Sequence, residues 1–278
     1  MDSTTGSELD EMRAAEDLPQ ADATGLVDSE ALEGAVKDMY RHVAREEEAE
    51  LHFAVGRPLA EKLGYHPEIL DRVPAAALAS FAGVGYYFAL GRPQPGEAIL
   101  DLGAGSGTDA FYAAVLAGPE GRVVGVDFTD EQVAKATRLA AEHRFKQVEF
   151  VEGRIEAVPS EDASFDLVIS NGVINLAPDK GRVFAEAARV LRPGGRLALA
   201  DIVSGKPMKE RTRRNVDLWA ACIAGAIPRS SYVEAIESAG LEVGEIVVND
   251  YDFLSERALE ACGTYGVESV SLVAVKPG

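Results

Sequence analysis

The residues best suited to chemistry lie in one short string, Asp101-Leu102-Gly103-Ala104-Gly105-Ser106-Gly107-Thr108, with a second acid, Asp127, further along the chain. Glycines at such a turn permit positive φ and let a ligand approach the backbone closely. The spacing separates this loop from the phosphate binders. A dinucleotide fingerprint wants its third glycine at position 108, where Thr108 stands, and no GxxxxGK[ST] string is present for a P-loop. The Asp101 carboxylate would repel a pyrophosphate, whereas it suits a cationic amino-acid moiety. Asp127 ends the next apolar run, Val123-Val124-Gly125-Val126, where a carboxylate takes the hydroxyls of a ribose. Loop and acid together describe a pocket for a nucleoside with a charged, phosphate-free tail. S-adenosylmethionine is such a molecule. The plain structural alternatives are a tight turn for the glycines and a helix N-terminal acid for Asp127.

The elements that must position these residues are legible in the hydrophobic pattern. Short β-rich runs at 98–102, 123–126, 148–151, 167–170 and 196–200 alternate with helical patterns over 107–117, 130–143 and 179–191. Such alternation predicts an α/β fold with a doubly wound, mostly parallel sheet and helices on both faces. Helices follow over 208–225 and 230–239, then strands at 243–248 and 269–275, joined by an excursion compatible with an antiparallel return. Ahead of the sheet, Leu32, Val36, Met39, Tyr40 and Val43 make one helical stripe. The uncharged run 73–91 has the length of a membrane span, but Pro74, Gly83 and Gly85 interrupt it, and it reads as buried helix plus loop. The first 35 residues hold ten acids against one base, with few large apolar groups to offset the entropy of ordering. The expected division is an acidic, disordered tail over 1–28, a helical cap over 29–95 and a cofactor-binding domain over 96–278.

Composition bounds the partners. With 46 Asp+Glu against 27 Lys+Arg, a formal charge of −19, the 278-residue chain repels phosphate backbones and anionic lipids. The basic stripe Lys206, Lys209, Arg211, Arg213, Arg214 has no interleaved aromatics and reads as a solvated helix face. Nucleic-acid and membrane partners are thus not expected. The start lacks the basic and apolar regions of a signal peptide. Two cysteines, Cys222 and Cys262, and four scattered histidines offer neither a disulfide framework nor zinc-ligand spacing, so no metal is expected and a reducing, cytoplasmic setting fits.

The string DLGAGSG with Asp127 resembles the class I S-adenosylmethionine-dependent methyltransferases. Four further strings are similar to the arsenite methyltransferase branch of that family: Ser80-Phe81-Ala82-Gly83-Val84-Gly85, Ser170-Asn171-Gly172-Val173-Ile174-Asn175-Leu176 with Pro178-Asp179-Lys180, Arg192-Pro193-Gly194-Gly195, and Leu218-Trp219-Ala220-Ala221-Cys222-Ile223-Ala224-Gly225-Ala226. The resemblance implies a Rossmann-like, seven-stranded sheet whose last strand is antiparallel. It also implies roles. Asp101, Gly103, Ala104 and Gly105 would cradle the methionine portion of the cofactor, Asp127 the ribose, and Gly153, Arg154 and Ile155 would border the adenine, with Phe128 flanking the base. Asn171 would face the reacting methyl group, and Asn171 and Asp201 are the candidate catalytic residues.

The chain departs from arsenite chemistry at its thiols. Trivalent arsenic is thiophilic, and the family is expected to hold it with several thiolates, one of them directly after Asn171. Gly172 stands there, and only Cys222 corresponds to a family thiol. One thiolate cannot supply a multidentate site, so the expected acceptor is a small organic molecule, with glycine at 172 widening the mouth of the site. Tyr86, Tyr87, Gly172, Trp219, Cys222 and Asn249 are the candidate acceptor-site residues; core packing is the alternative for the aromatics and for Cys222. The reading is a methyltransferase acting on a small molecule. Its rivals are arsenite methylation with external thiols and a cofactor-binding protein without turnover.

Overall fold

The apolar run at 98–102 forms an interior strand, third in order, of a seven-stranded sheet in the computed structural model, which describes residues 31–32, 34–38, 54–215, 218–219, 223–254 and 256–278. The strands are β1 (Ala98–Leu102), β2 (Arg122–Asp127), β3 (Val148–Glu152), β4 (Phe165–Asn171), β5 (Leu191–Val203), β6 (Glu242–Val248) and β7 (Glu268–Val275), in the order β3-β2-β1-β4-β5-β7-β6. β1 to β5 pair in parallel, and β7 lies antiparallel between β5 and β6. The chain therefore has the doubly wound sheet with one reversed strand. The order reverses direction between β1 and β4, and in open α/β sheets ligands bind at the strand C-termini beside such a switch point.

Four short helices precede β1: α1 (Gly56–Leu63), α2 (Pro67–Leu70), α3 (Ala75–Leu78) and α4 (Phe88–Gly91). Residues 31–32 and 34–38 are also helical, with Leu32 and Val36 buried. α5 (Thr108–Ala117) follows β1 and α6 (Asp130–Glu142) follows β2. A short 3-10 turn (Ile174–Leu176) and α7 (Lys180–Val190) follow β4. The remaining helices among the described residues are α8 (Glu210–Arg213), α9 (Arg229–Ser238) and α10 (Glu256–Tyr265). α5 is apolar almost all round, and a helix of that kind must be buried. It lies beneath the helices that precede β1, with the Tyr112 ring 5.0 Å from Tyr65 and 4.8 Å from Phe88, and this packing ties the first part of the chain to the glycine loop. On the opposite face of the sheet Val183, Phe184 and Ala187 of α7 and Tyr232, Ala235 and Ile236 of α9 close the second half of the core.

Three expectations need amendment. β5 begins at Leu191, not 196, because the Arg192-Pro193-Gly194-Gly195 string is drawn into the strand through a register shift opposite Phe165 and Leu167. The helix expected over 208–225 is short: α8 ends at Arg213, and 218–219 are again helical. The basic stripe is not uniformly solvated, since Arg213 is buried. The excursion before β7 contains α10, whose pattern the sequence reading passed over. The tail over 1–28 lies outside the described residues. Among those described, no helix is long and apolar enough to cross a membrane.

Candidate active site

β1 delivers Asp101 to the edge of a cavity of about 560 Å³ at the C-terminal ends of β1, β2 and β4. The loop from Gly103 to Gly107 turns there into α5. Gly105 is left-handed, with φ of 54°, and a Cβ placed on it would meet only open space, so the backbone presents a bare edge to the cavity. Its N–H donates to Asp127 Oδ2 at 2.9 Å, while Asp127 Oδ1 accepts from the Thr129 N–H at 2.9 Å. The second acid is thereby locked to the loop of the first. Asp101, Gly103, Ala104, Gly105, Asp127, Phe128, Gly153, Arg154, Ile155 and Asn171 all line this one cavity.

The buried charge at the site is one-sided, since the lining arginines Arg154 and Arg182 are exposed. Asp101 is buried, its carboxylate accepts from the Ala110 backbone, and its Oδ2 has no partner. Asp109, in the first turn of α5, also lines the cavity; it accepts from Tyr65 Oη at 2.6 Å, Tyr87 Oη at 3.0 Å and Asn171 Nδ2 at 3.0 Å. Every one of these donors is uncharged. Burial raises the Asp101 carboxyl well above the usual range, and the neighbouring Asp109 and Asp127 charges raise it further. Burial likewise raises Asp109 and Asp127, opposed by the hydrogen bonds each accepts. Three buried carboxylates without an ion-pair partner among the described residues, one oxygen orphaned, and a bare glycine edge fit S-adenosylmethionine, which brings an ammonium, a sulfonium and a ribose diol and no phosphate.

Asp109 was missed by the sequence reading. An acid in the first turn of a helix is adequately explained by the helix dipole, and nothing in the string marks it as a pocket wall. Also missed were Ser106 and Gln132, joined by a 2.5 Å hydrogen bond from Ser106 Oγ to Gln132 Oε1, and the apolar walls Leu32, Val36, Phe81, Val173 and Leu176. The stripe containing Leu32 and Val36 signalled a helix but not what it covers. Lys37 of the same segment lies with Nζ 5.2 Å from the centre of the Phe128 ring.

The remaining predicted residues are dispersed. Asn171 lines the cavity, but its amide is fully engaged: Oδ1 accepts from the Val84 N–H at 2.7 Å and Nδ2 donates to Tyr65 Oη, Gly85 O and Asp109 Oδ2. Asp201 does not line it. Its carboxylate is buried and accepts from Tyr232 Oη at 2.7 Å, from the Asn175 N–H at 2.8 Å and from the Ile202 N–H at 2.8 Å. Tyr87 is buried with its hydroxyl on Asp109, and Tyr86 is half-buried, its ring 5.0 Å from Tyr65. Trp219 is buried with its indole N–H on Arg213 O. Asn249 exchanges hydrogen bonds with Ser269 and Ser271. None of these four lines the cavity; packing and hydrogen bonding within the fold account for them. Gly172 is left-handed, with φ of 69°, and a Cβ there would approach Val84 Cγ1 at 3.2 Å, so its small size relieves packing against 82–84 and does not widen a mouth. Cys222 lies outside the described residues.

A sheet of this order with a glycine loop and two strand-end acids around one cavity defines a class I S-adenosylmethionine-dependent methyltransferase. A family model described as a methyltransferase domain matches residues 93–253. The arsenite methyltransferase of Halobacterium salinarum is 40% identical over 221 residues, 78% of this chain and 56% of that protein. The human arsenite methyltransferase is 40% identical over 138 residues, 46% of this chain and 37% of that protein. The crystal structure of an arsenic(III) S-adenosylmethionine methyltransferase from Chlamydomonas reinhardtii superposes with a TM-score of 0.60 at 31% identity, covering 81% of this chain and 75% of that one. The chain belongs to the methyltransferase-domain family, in its arsenite-methyltransferase-like branch. It spans a little over half the length of the Halobacterium salinarum and Aquipseudomonas alcaligenes relatives it matches.

Proposed function

We propose that the chain transfers the methyl group of S-adenosylmethionine to a small organic acceptor in the cytoplasm, acting on neither nucleic acid nor membrane. The observation that carries the cofactor half is the orphaned, buried Asp101 Oδ2 facing the same cavity as the bare edge of Gly105. When bound, S-adenosylmethionine would supply an electrophilic methyl on a sulfonium, open to in-line displacement by an acceptor lone pair with a neutral thioether as leaving group. The chain's own contribution is alignment and exclusion of water. Asp101 would hold the cationic tail, Asp127 the diol, and Phe128 with Gly153, Arg154 and Ile155 the base. Asn171, locked by four hydrogen bonds, acts as a positioning residue that fixes Asp109 and the 83–85 segment around the reacting centre. Leu32, Val36, Phe81 and Leu176 form the dry wall, with the described residues of the 29–95 segment serving as the cap.

The acceptor half rests on cysteine content. The cavity has no cysteine among its described lining residues, and Cys262 lies half-buried in α10, its thiol pushed up by burial and therefore a poor thiolate. Arsenite remains the second reading because the relatives are arsenite methyltransferases, and it needs external thiols in place of protein ones. Titration calorimetry with S-adenosylmethionine and S-adenosylhomocysteine tests the cofactor half, and absence of heat with both overturns it. Label transfer from methyl-labelled cofactor tests the acceptor: products from a metabolite extract are expected, whereas turnover of arsenite with excess glutathione that is lost in Cys222→Ser selects the metalloid reading. Tight cofactor binding with no product from either source would mark a binding protein.

A further inference from the structure

The two buried acids nearest the cofactor tail have opposite hydrogen-bonding states. Asp101 keeps an oxygen without a donor. Asp109 has three donors already, Tyr65 Oη on Oδ1 and Tyr87 Oη with Asn171 Nδ2 on Oδ2, so little of its acceptor capacity is left. All three donors are neutral, so they satisfy the lone pairs without cancelling the charge. An ammonium needs acceptors for its N–H groups and finds them on Asp101. A sulfonium has no N–H to donate; what it needs is negative charge nearby, and an anion whose acceptors are filled from behind provides only that. Asp109 is also hydrogen-bonded to Asn171 at the end of β4, across the β1/β4 switch from the glycine loop, at the side of the cavity assigned to the reacting methyl.

We propose that Asp109 is the residue by which this site distinguishes the sulfonium of the methyl donor from the neutral thioether of the spent product. The proposal rests on the cofactor reading given above. Its consequence is a mechanism for turnover: loss of the methyl removes the positive charge at sulfur, Asp109 loses its counter-charge, and the product is released while its ammonium is still matched to Asp101. Tyr65, Tyr87 and Asn171 are positioning residues that keep the carboxylate ionised in a buried site.

The titratable groups around Asp109 are Tyr65 and Tyr87 on its oxygens, Tyr86 and Tyr112 in the same aromatic cluster, and Asp101, with Asp127 beyond it. Burial raises each of these four phenols, so they stay neutral through the physiological range. Among these groups the aspartates are therefore the ones that titrate; His66 also borders the cluster, its ring 5.9 Å from Tyr86. Burial holds Asp109 above the usual carboxylate range, so acid should protonate it before ordinary surface carboxylates.

The test compares binding of S-adenosylmethionine and S-adenosylhomocysteine to the full chain by titration calorimetry, taking the ratio of the two dissociation constants. Asp109→Asn should reduce the preference for the donor by on the order of tenfold, because a removed charge weakens a neighbouring cation and not a neutral sulfur. Asp101→Asn should weaken both ligands by similar factors. An Asp109→Asn protein that binds both ligands with an unchanged ratio overturns the proposal while the cofactor reading stands. A chain that binds neither ligand overturns the cofactor reading itself. Should Asp109→Asn not fold, the unmodified chain still decides: its donor preference should shrink as pH is lowered, and a preference that stays constant while Asp109 becomes protonated, followed by the infrared carboxyl band, overturns the proposal.

Discussion

Asp109 and Asp201 are both buried aspartates that accept from a tyrosine hydroxyl, yet they belong to opposite kinds of site. Around Asp201 the counter-charge is built in. Lys180 is buried nearby, its ammonium donating to Asn175 O at 3.1 Å and Ala177 O at 3.0 Å and lying 5.1 Å from the centre of a Trp219 ring, while the Asn175 N–H donates to Asp201. The two groups are thus linked through the backbone of one residue, Asn175, with burial lowering Lys180 to about 7 and the Asp201 charge opposing that shift, and neither lines the cavity. Around Asp101, Asp109 and Asp127 the hydrogen-bond partners are hydroxyls, an amide and backbone N–H groups, and all three acids face the cavity. Buried charge alone therefore does not mark function here. The distinction is whether the fold supplies the opposite charge or leaves it to a ligand.

The largest effect should come from cutting the internally balanced cluster. Lys180→Met leaves Asp201 without its cation and frees two buried carbonyls, and removing one partner of a buried charge pair costs roughly 3–5 kcal/mol. Urea denaturation of the ligand-free chain is expected to show a loss of that order, with much of it recovered in Lys180→Met/Asp201→Asn. Asp101→Asn in the same assay should lose nothing and is expected to gain, because one of several mutually repelling buried carboxylates is removed. The contrast between the two clusters breaks down if Asp101→Asn is destabilised as much as Lys180→Met.

Next in size is the effect on the ligand. A hydrogen bond to a charged group contributes about 1.5–3 kcal/mol, so Asp101→Asn should weaken S-adenosylmethionine on the order of tenfold to a hundredfold. Lys180→Met, measured where it is folded, should change that affinity far less, since Lys180 reaches the cavity only by steadying the turn at 174–179. An equal loss in both variants would mean that the turn is as much part of the binding surface as Asp101.

Much of this was legible in the chain itself, for physical reasons that differ by region. Strands buried on both faces read as continuous apolar runs, so β1, β2 and β4 stood out, while the edge strand β3 showed the alternation of a half-buried one; the glycine loop followed because the positive φ of 54° at Gly105 favours glycine. The residues assigned to the cofactor on that frame line one cavity because the topology brings the ends of β1, β2 and β4 together. Asp201, Tyr87, Trp219 and Asn249 do not line the cavity; order along the chain says that a side chain is near a strand end, not which way it faces. Asp109 was overlooked for the converse reason: its role depends on Tyr65, Tyr87 and Asn171, far from it in sequence, converging on one carboxylate. The 208–225 segment carries a helical pattern that tertiary contacts override. Gly225 packs directly against the Trp219 ring and Asn175 O, where a Cβ could not fit, and the chain turns there.

The smallest expected effect is the most selective. In the ligand-free chain Asp101 and Asp109 hold their protons to higher pH than ordinary carboxylates, because burial disfavours both charged forms and, at Asp101, the neighbouring Asp109 and Asp127 charges add to it. That contribution to folding stability is complete below the unfolded-state carboxylate range and is lost as pH rises through the raised values. A bound cation reverses the sign: it favours the ionised forms, pulls the values down and so drives protons off. S-adenosylmethionine binding is therefore expected to release a fraction of a proton per site and to tighten as pH rises through the ligand-free values. Calorimetry in two buffers of different ionisation enthalpy reads this number directly. Asp101→Asn should diminish it, whereas Asp201→Asn should leave it unchanged, even though Asp201 is itself raised to about 6, because the Asp201 environment does not change when the cavity fills. Proton uptake in place of release, or a count that falls equally in both variants, would place the titrating group outside the acid cluster that faces the cavity.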